Sequence, residues 1–337
     1  MIGQGRQIFV DELKRFATEA ADSRCAAISG RLAAPLRVAV SGRRGVGRST
    51  VARALARIAD LGATFTLTRS GDGLPDADLY VYVIAEVVKP EDRDAIAGAA
   101  RPVLAVLNKA DLIATTQPGL HPHGPTSAAK TRCARLSAQT GLPIEPLVGL
   151  LAVAALDDVL DDKLWAALQV LAGRPGGHPM AAELPRRLLD TLDMFGVEQA
   201  MAAIRRGATR DQTRALLRRL SCIDEVVHQI ASVGAQVHYR RMLDAVAELE
   251  TLAVTDGRVG EFLSRDDTVV ARMTAAVDVV EAAGLKVDRC DSAAAYLRRA
   301  RAWQRYSRGP VVGVHHACGA DIVRGSLRLW SKVGSSA

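Results

Sequence analysis

Hydrophobic patterning divides the chain into two regimes. In the first, short unbroken apolar runs alternate with helical stretches: Pro35 to Ser41, Leu79 to Ile84, Val103 to Leu107 and Leu142 to Leu147 read as buried strands. Ala63 to Thr68 alternates threonine with apolar residues, as a half-exposed strand does. Val51 to Arg57 and Ala128 to Thr140 carry helical spacing, the second closed by Gly141. A terminal helix over Asp157 to Ala172 completes this part, and Gly173-Arg174-Pro175-Gly176-Gly177-His178-Pro179 reads as a linker. Beyond it the pattern is helical throughout. Helices are expected over 184–195, 197–206, 211–220, 222–233, 237–254, 268–283 and 292–306, broken at Gly196, Gly207, Gly234, Gly257 and Gly284. At the other end, Phe9, Leu13, Phe16, Ala20, Ile28 and Leu32 share one side of a single long helix. The expected fold class is therefore α/β: a mostly parallel sheet flanked by helices over 35–172, an N-terminal amphipathic helix over 1–34, a linker over 173–180 and an all-α domain over 181–337.

Composition changes this picture little. A chain of 337 residues, 49% hydrophobic and only 4% aromatic, suits two domains with helix-rich Ala/Leu/Val cores. Cysteines at 25, 133, 222, 290 and 318 are odd in number and form no C-x-x-C, as expected of reduced thiols. His121, His123 and the His315-His316 pair lack the spaced partners of a metal site and read as surface residues. The opening residues do not resemble a secretory signal, and the longest apolar stretch, Leu147 to Leu156, falls far short of the ~20 residues that span a bilayer. A cytoplasmic protein is expected, with peripheral attachment to the inner face of a membrane as the alternative.

Charge is unevenly placed. The whole chain carries +7, and residues 291–337 hold eight basic against two acidic residues, a net of +6, interleaved with Tyr296, Trp303, Tyr306 and Trp330. Such a segment suits an anionic membrane surface or an acidic partner, and nucleic acid less well because no recognition module is visible. The competing reading is a solvated helix face over core aromatics.

The candidate chemistry lies in the first regime. Asn108 is the only asparagine of the chain and stands in Asn108-Lys109-Ala110-Asp111 at the end of an apolar run. A carboxylate at Asp111 accepts from both the ring N–H and the exocyclic amine of guanine, Asn108 braces the loop, and the Lys109 stem covers the ring face. Upstream, a strand runs into Gly42-Arg43-Arg44-Gly45-Val46-Gly47-Arg48-Ser49-Thr50 and then a helix. Glycines so spaced let backbone N–H groups surround a phosphate at a helix N-terminus, with the Ser49 hydroxyl available to Mg2+.

On these two motifs residues 35–172 resemble the P-loop GTPases of the translation-factor class, Era-like G domains among them. The resemblance implies GTP/GDP and Mg2+ as ligands. It also implies a first switch, for which Thr64, Thr66 and Thr68 are candidates beside a plain sheet role, and a second switch D-x-x-G, which is missing. Asp72-Gly73, Asp76 and Asp78 crowd its neighbourhood. Arg48 occupies the lysine slot of the phosphate loop. Ser137-Ala138 falls on a helix, so Val148 and Gly149 are the expected base-contacting residues after the last strand, through a backbone N–H. The layout of leading helix, G domain and helical half is similar to bacterial dynamin-like GTPases, which act as homo- or hetero-oligomers. The expectation is a guanine-nucleotide-dependent switch or assembly module with slow hydrolysis, since metal and water positioning depend on the missing parts. A pseudo-GTPase scaffold, an RNA-binding Era-like GTPase and a P-loop kinase are the alternatives.

Overall fold

The computed structural model describes residues 4–58, 63–67, 76–115, 125–157, 159–173, 184–311 and 313–335. Helices α1 (Gln4–Glu19) and α2 (Ser23–Ala33) precede β1 (Leu36–Gly42), α3 (Arg48–Ala56), β2 (Ala63–Leu67), β3 (Leu79–Ala85), α4 (Pro90–Ala97) and β4 (Val103–Asn108). Then come α5 (Leu112–Thr115), α6 (Pro125–Thr140), β5 (Ile144–Leu147), α7 (Gly149–Leu156) and α8 (Asp162–Gly173). The remainder is helical: α9 (Arg186–Arg205), α10 (Arg210–Ser221), α11 (Ile223–Ala253), α12 (Gly257–Ser264), α13 (Asp266–Ala282), α14 (Ala293–Ser307) and α15 (Gly313–Ser335). Two compact units result. One comprises Leu36–Ile230; the other joins Met1–Pro35 to Ala231–Ala337.

The first unit holds a five-stranded sheet in the order β2-β1-β3-β4-β5, every pairing parallel. Central β3 is buried along nearly its whole length, which is why Leu79-Tyr-Val-Tyr-Val-Ile reads as a continuous apolar run. Edge strand β2 is half exposed; Thr64 and Thr66 lie in it, paired with Arg37 and Ala39, so the sheet role holds for these two. Thr68, Asp72-Gly73, His121, His123 and the 174–180 part of the expected linker lie outside the described residues. The expected helix over 157–172 starts later, at Asp162. This unit also extends past the expected boundary, because Leu164, Leu188, Leu192 and Leu217 of α8 to α10 bury against Leu151 and Ala154 of α7. Residues 181–230 therefore belong with the sheet, and the boundary falls inside α11.

Within α9 the break comes at Asp193 (φ 59°, ψ 175°), not at Gly196. Gly196 is instead a close approach: a Cβ there would stand 2.5 Å from Leu151 Cδ2. Helix α11 runs unbroken through Gly234, where burial outweighs the ~1 kcal/mol cost of a mid-helix glycine.

In the helical unit the single N-terminal helix expected from the pattern is two. Asp22 caps α2, its side chain accepting from the Arg24 and Cys25 N–H groups, and Ala21 turns at φ 51°. Phe9, Leu13, Phe16, Ile28 and Leu32 pack with Tyr239, Phe262, Trp303 and Ile322 in one core, and Phe16 stacks on Phe262 at 4.8 Å. Helices α12 and α15 have no counterpart in the sequence expectations. Tyr296 and Trp303 are buried, as is Arg299, which donates to Ser326 Oγ at 2.8 Å. Among the described residues no helix is long and apolar enough to cross a membrane.

Candidate functional site

The site forms where β1, β3 and β4 end. β1 has β2 on one side and β3 on the other, so successive crossovers diverge there, and the crevice at the carboxyl ends of such strands is where open α/β sheets bind ligands. The Gly-rich loop fills that position. Gly42 closes β1 at φ 141°, and a Cβ on it would lie 2.3 Å from the Val83 carbonyl oxygen, so no side chain fits. Gly45 and Gly47 take φ 87° and 88°. Open space surrounds Gly45, while Gly47 caps α3 in the left-handed conformation. The helix then begins at Arg48, followed by Ser49 and Thr50, leaving the first N–H groups of α3 at the loop.

Asn108 holds this loop. Its Nδ2 donates to the Val46 carbonyl oxygen at 2.9 Å and its Oδ1 accepts from the Gly149 N–H at 3.0 Å. A Cβ on Gly47 would come within 2.3 Å of Nδ2, and one on Gly149 within 2.8 Å of Oδ1, so both glycines are required for the amide to reach across. One buried side chain therefore joins the Gly-rich loop, β4 and the start of α7.

Beyond Asn108 the chain turns sharply. Exposed Lys109 is left-handed at φ 58°, and the Ala110 N–H donates to the Leu147 carbonyl at 3.2 Å. Asp111 follows, 8% exposed, its carboxyl pushed above the usual range by burial and then by the nearby Asp193 carboxylate, against the opposing pull of Lys109. Val148 precedes α7 and gives its N–H to the Ser221 carbonyl at 3.0 Å. The Gly149 N–H, expected to face a base, is spoken for by Asn108. That expectation is corrected accordingly.

Asp76 and Asp78, which crowd the neighbourhood of the missing second switch, are engaged at the other end of the sheet. Arg37, at the opposite end of β1 from the loop, takes both: its Nη1 donates to Asp76 at 2.8 Å and its backbone N–H to Asp78 at 2.8 Å. Five residues of strand separate Arg37 from Gly42, roughly 16 Å. Between the last residue of α3, Ala56, and the first of β2, Ala63, only residues 57–62 connect the two. Among the described residues no three His, Cys, Asp or Glu side chains gather as a metal-binding group.

Three features escaped the sequence reading. Asp92, fully buried, receives donors from Arg43, Tyr82 and Lys89; the Lys-Pro-Glu-Asp start of α4 signals a helix cap, not these partners. Glu86 turns at φ 62° with the Val87 N–H donating to the Ala85 carbonyl at 2.7 Å, a strained γ-turn. Finally, a cavity of about 270 Å³ lies among Ser49, Thr50 and Arg53 of α3, Leu150 and Val153 of α7 and Asp190 of α9.

No known protein-family model matches this chain, and no curated protein matches it.

Proposed function

We propose that the unit Leu36–Ile230 is a guanine-nucleotide-binding module of the P-loop GTPase kind, serving as a slow switch or assembly element. The observation that carries this reading is the Asn108 bridge, which ties the Gly-rich loop at Val46 to Gly149 from the strand end that leads into Asp111. Phosphates would meet the N–H groups of Gly45 to Ser49, with Arg48 adding positive charge. Guanine would pair with Asp111, and an Mg2+ would take Ser49 and phosphate oxygens, as this ion does where protein ligands are few. A kinase reading gives no reason for Asp111.

Hydrolysis is the weaker half. With Asp76 and Asp78 tied to Arg37, little remains among the described residues of this region to orient metal and water. A nucleotide-dependent scaffold without turnover is the second reading favoured by that observation. The exposed arginines of α14 are the proposed contact with an anionic membrane surface.

Calorimetry with GTP, GDP and ATP tests the reading. The wild type is expected to prefer guanine nucleotides, and Asp111→Asn to shift preference toward xanthine nucleotides, because the amide offers a donor where the carboxylate accepted. Equal affinity for ATP and GTP overturns it.

A further inference from the structure

The phosphate loop carries three arginines, and their surroundings differ. Arg44 is exposed at the crown of the loop and Arg48 opens α3. Arg43 is drawn aside: its Nε donates to Asp92 Oδ1 at 2.8 Å. Asp92 belongs to the first turn of α4 and is fully buried. The same oxygen accepts from Tyr82 Oη at 3.1 Å, and Oδ2 accepts from the Lys89 N–H at 2.9 Å. One carboxylate thus ties the loop, strand β3 and the first turn of α4. Asp92 is the first cause of the raised Arg43 pKa, and Tyr82 is pushed up to about 12 by burial first and this carboxylate next.

We propose that Arg43 is a positioning residue and Asp92 its anchor: together they fix the conformation of the Gly-rich loop, and Arg43 serves that tether instead of a phosphate. The physical case is the contrast between buried and exposed charge. A carboxyl group with no solvent access is costly unless its oxygens are hydrogen-bonded, and Arg43 is the one cationic side chain among the three donors to Asp92 named above, so withdrawing it toward a phosphate would cost that buried bond. Because Asp92 also accepts from the Lys89 N–H, the loop is tied to the start of α4. The role in nucleotide binding rests on the function proposed above; the tether itself does not.

Two measurements on the full chain test it. In the nucleotide-free protein, amide hydrogen exchange at the end of the loop, where the Val51 N–H donates to the Gly47 carbonyl at 3.0 Å, is expected to speed up about tenfold in both Arg43→Ala and Asp92→Asn. The double variant should be no faster than either single, as for residues acting as a unit. Fluorescent GDP should leave both variants about tenfold faster than it leaves the wild type. Tyr82→Phe removes a different donor from the same carboxylate and is expected to lower the melting temperature while leaving loop exchange unchanged. If Asp92→Asn does not fold, Arg43→Ala and Arg43→Lys carry the test, since Arg43 is partly exposed.

The proposal is overturned if loop exchange is unchanged in Arg43→Ala, or if Asp92→Asn binds GDP more tightly because the freed arginine reaches the phosphates. A wild type that binds no nucleotide defeats the function proposed above, and the exchange comparison still decides the tether.

Discussion

At the residue scale the two ends of the Asn108 amide make opposite bonds, donating to Val46 and accepting from Gly149, which a carboxylate or an aliphatic side chain cannot reproduce. Its neighbour Asp111 sets a pH dependence. Burial favours the neutral acid, so the folded-state pKa lies above the unfolded one and the native protein binds this proton more readily. The contribution of Asp111 to stability is therefore favourable below the unfolded pKa and is lost as pH rises through the raised folded value. Guanine pairing has the opposite need, because only the ionised form accepts both donors. Guanine preference is accordingly expected to fade on acidification at a pH above the usual carboxylate range. In Asp111→Asn, which has no carboxyl to titrate, the GDP-to-ATP affinity ratio should be low and flat across the same pH range; a ratio that still falls with acid in that variant would assign the effect elsewhere.

At the element scale, α9 is held in an unusual shape. Asp193 occupies backbone space open essentially to glycine, at a cost of about 1–3 kcal/mol, and its Oδ1 accepts from the next N–H at 2.7 Å. The break lets one helix serve two contacts: Leu188 and Leu192 before it and Val197 and Met201 after it all enter the core around α7. Asp193→Gly is expected to stabilise the unit by about 1 kcal/mol, roughly 2–4 °C in the melting temperature. Asp193→Ala keeps the strain, loses the side-chain bond and should lower it. A glycine variant that melts below the wild type would show that the side chain matters more than the strain. Capping explains other boundaries: Ser292 accepts from the Ala295 N–H to start α14, and Thr209 with Gln212 forms a capping box on α10.

At the scale of the whole molecule, the basic C-terminal region is a folded part of the helical unit. Arg298, Arg301 and Arg305 of α14 and its C-cap Arg308 are exposed at intervals of three, four and three, one face of a helix. Some cations of this region are already paired: Arg324 with Asp321 at 3.2 Å, Lys332 with Asp266 at 3.0 Å and, on the stripe itself, Arg298 with Asp288 at 3.4 Å. Inward, Arg272 and Tyr239 converge on buried Asp321 at 2.8 and 2.9 Å. Removing everything after Cys290 would strip Trp303, Cys318 and Ile322 from the core, so truncation cannot separate surface charge from folding. Reversal of Arg301, Arg305 and Arg308 to Glu can. The melting temperature should hold within a degree or two, while salt-sensitive co-sedimentation with phosphatidylserine vesicles is lost. Loss of RNA binding instead would name a different partner, and unaltered binding to both would leave the stripe without one.

The strands, the strand–glycine turn–helix segment and the sharp turn after Asn108 were all legible in the chain, because each depends on neighbours a few residues away: continuous apolar runs for buried parallel strands, glycines at positive φ, a helix start after Gly47. Helix ends set by local caps were partly legible, though Asp22 and Ser23 were read through as one helix. Tertiary structure decided the rest. It placed Asp76 and Asp78 on Arg37, brought Arg43 to Asp92 across 49 residues, and set Gly5 against Asp278 across 273. It also moved the boundary between units from 173–180 to Ile230. Linker-like composition marks where a chain can leave a domain, whereas the boundary follows from which apolar faces find each other, and the faces of α8 to α10 found α7.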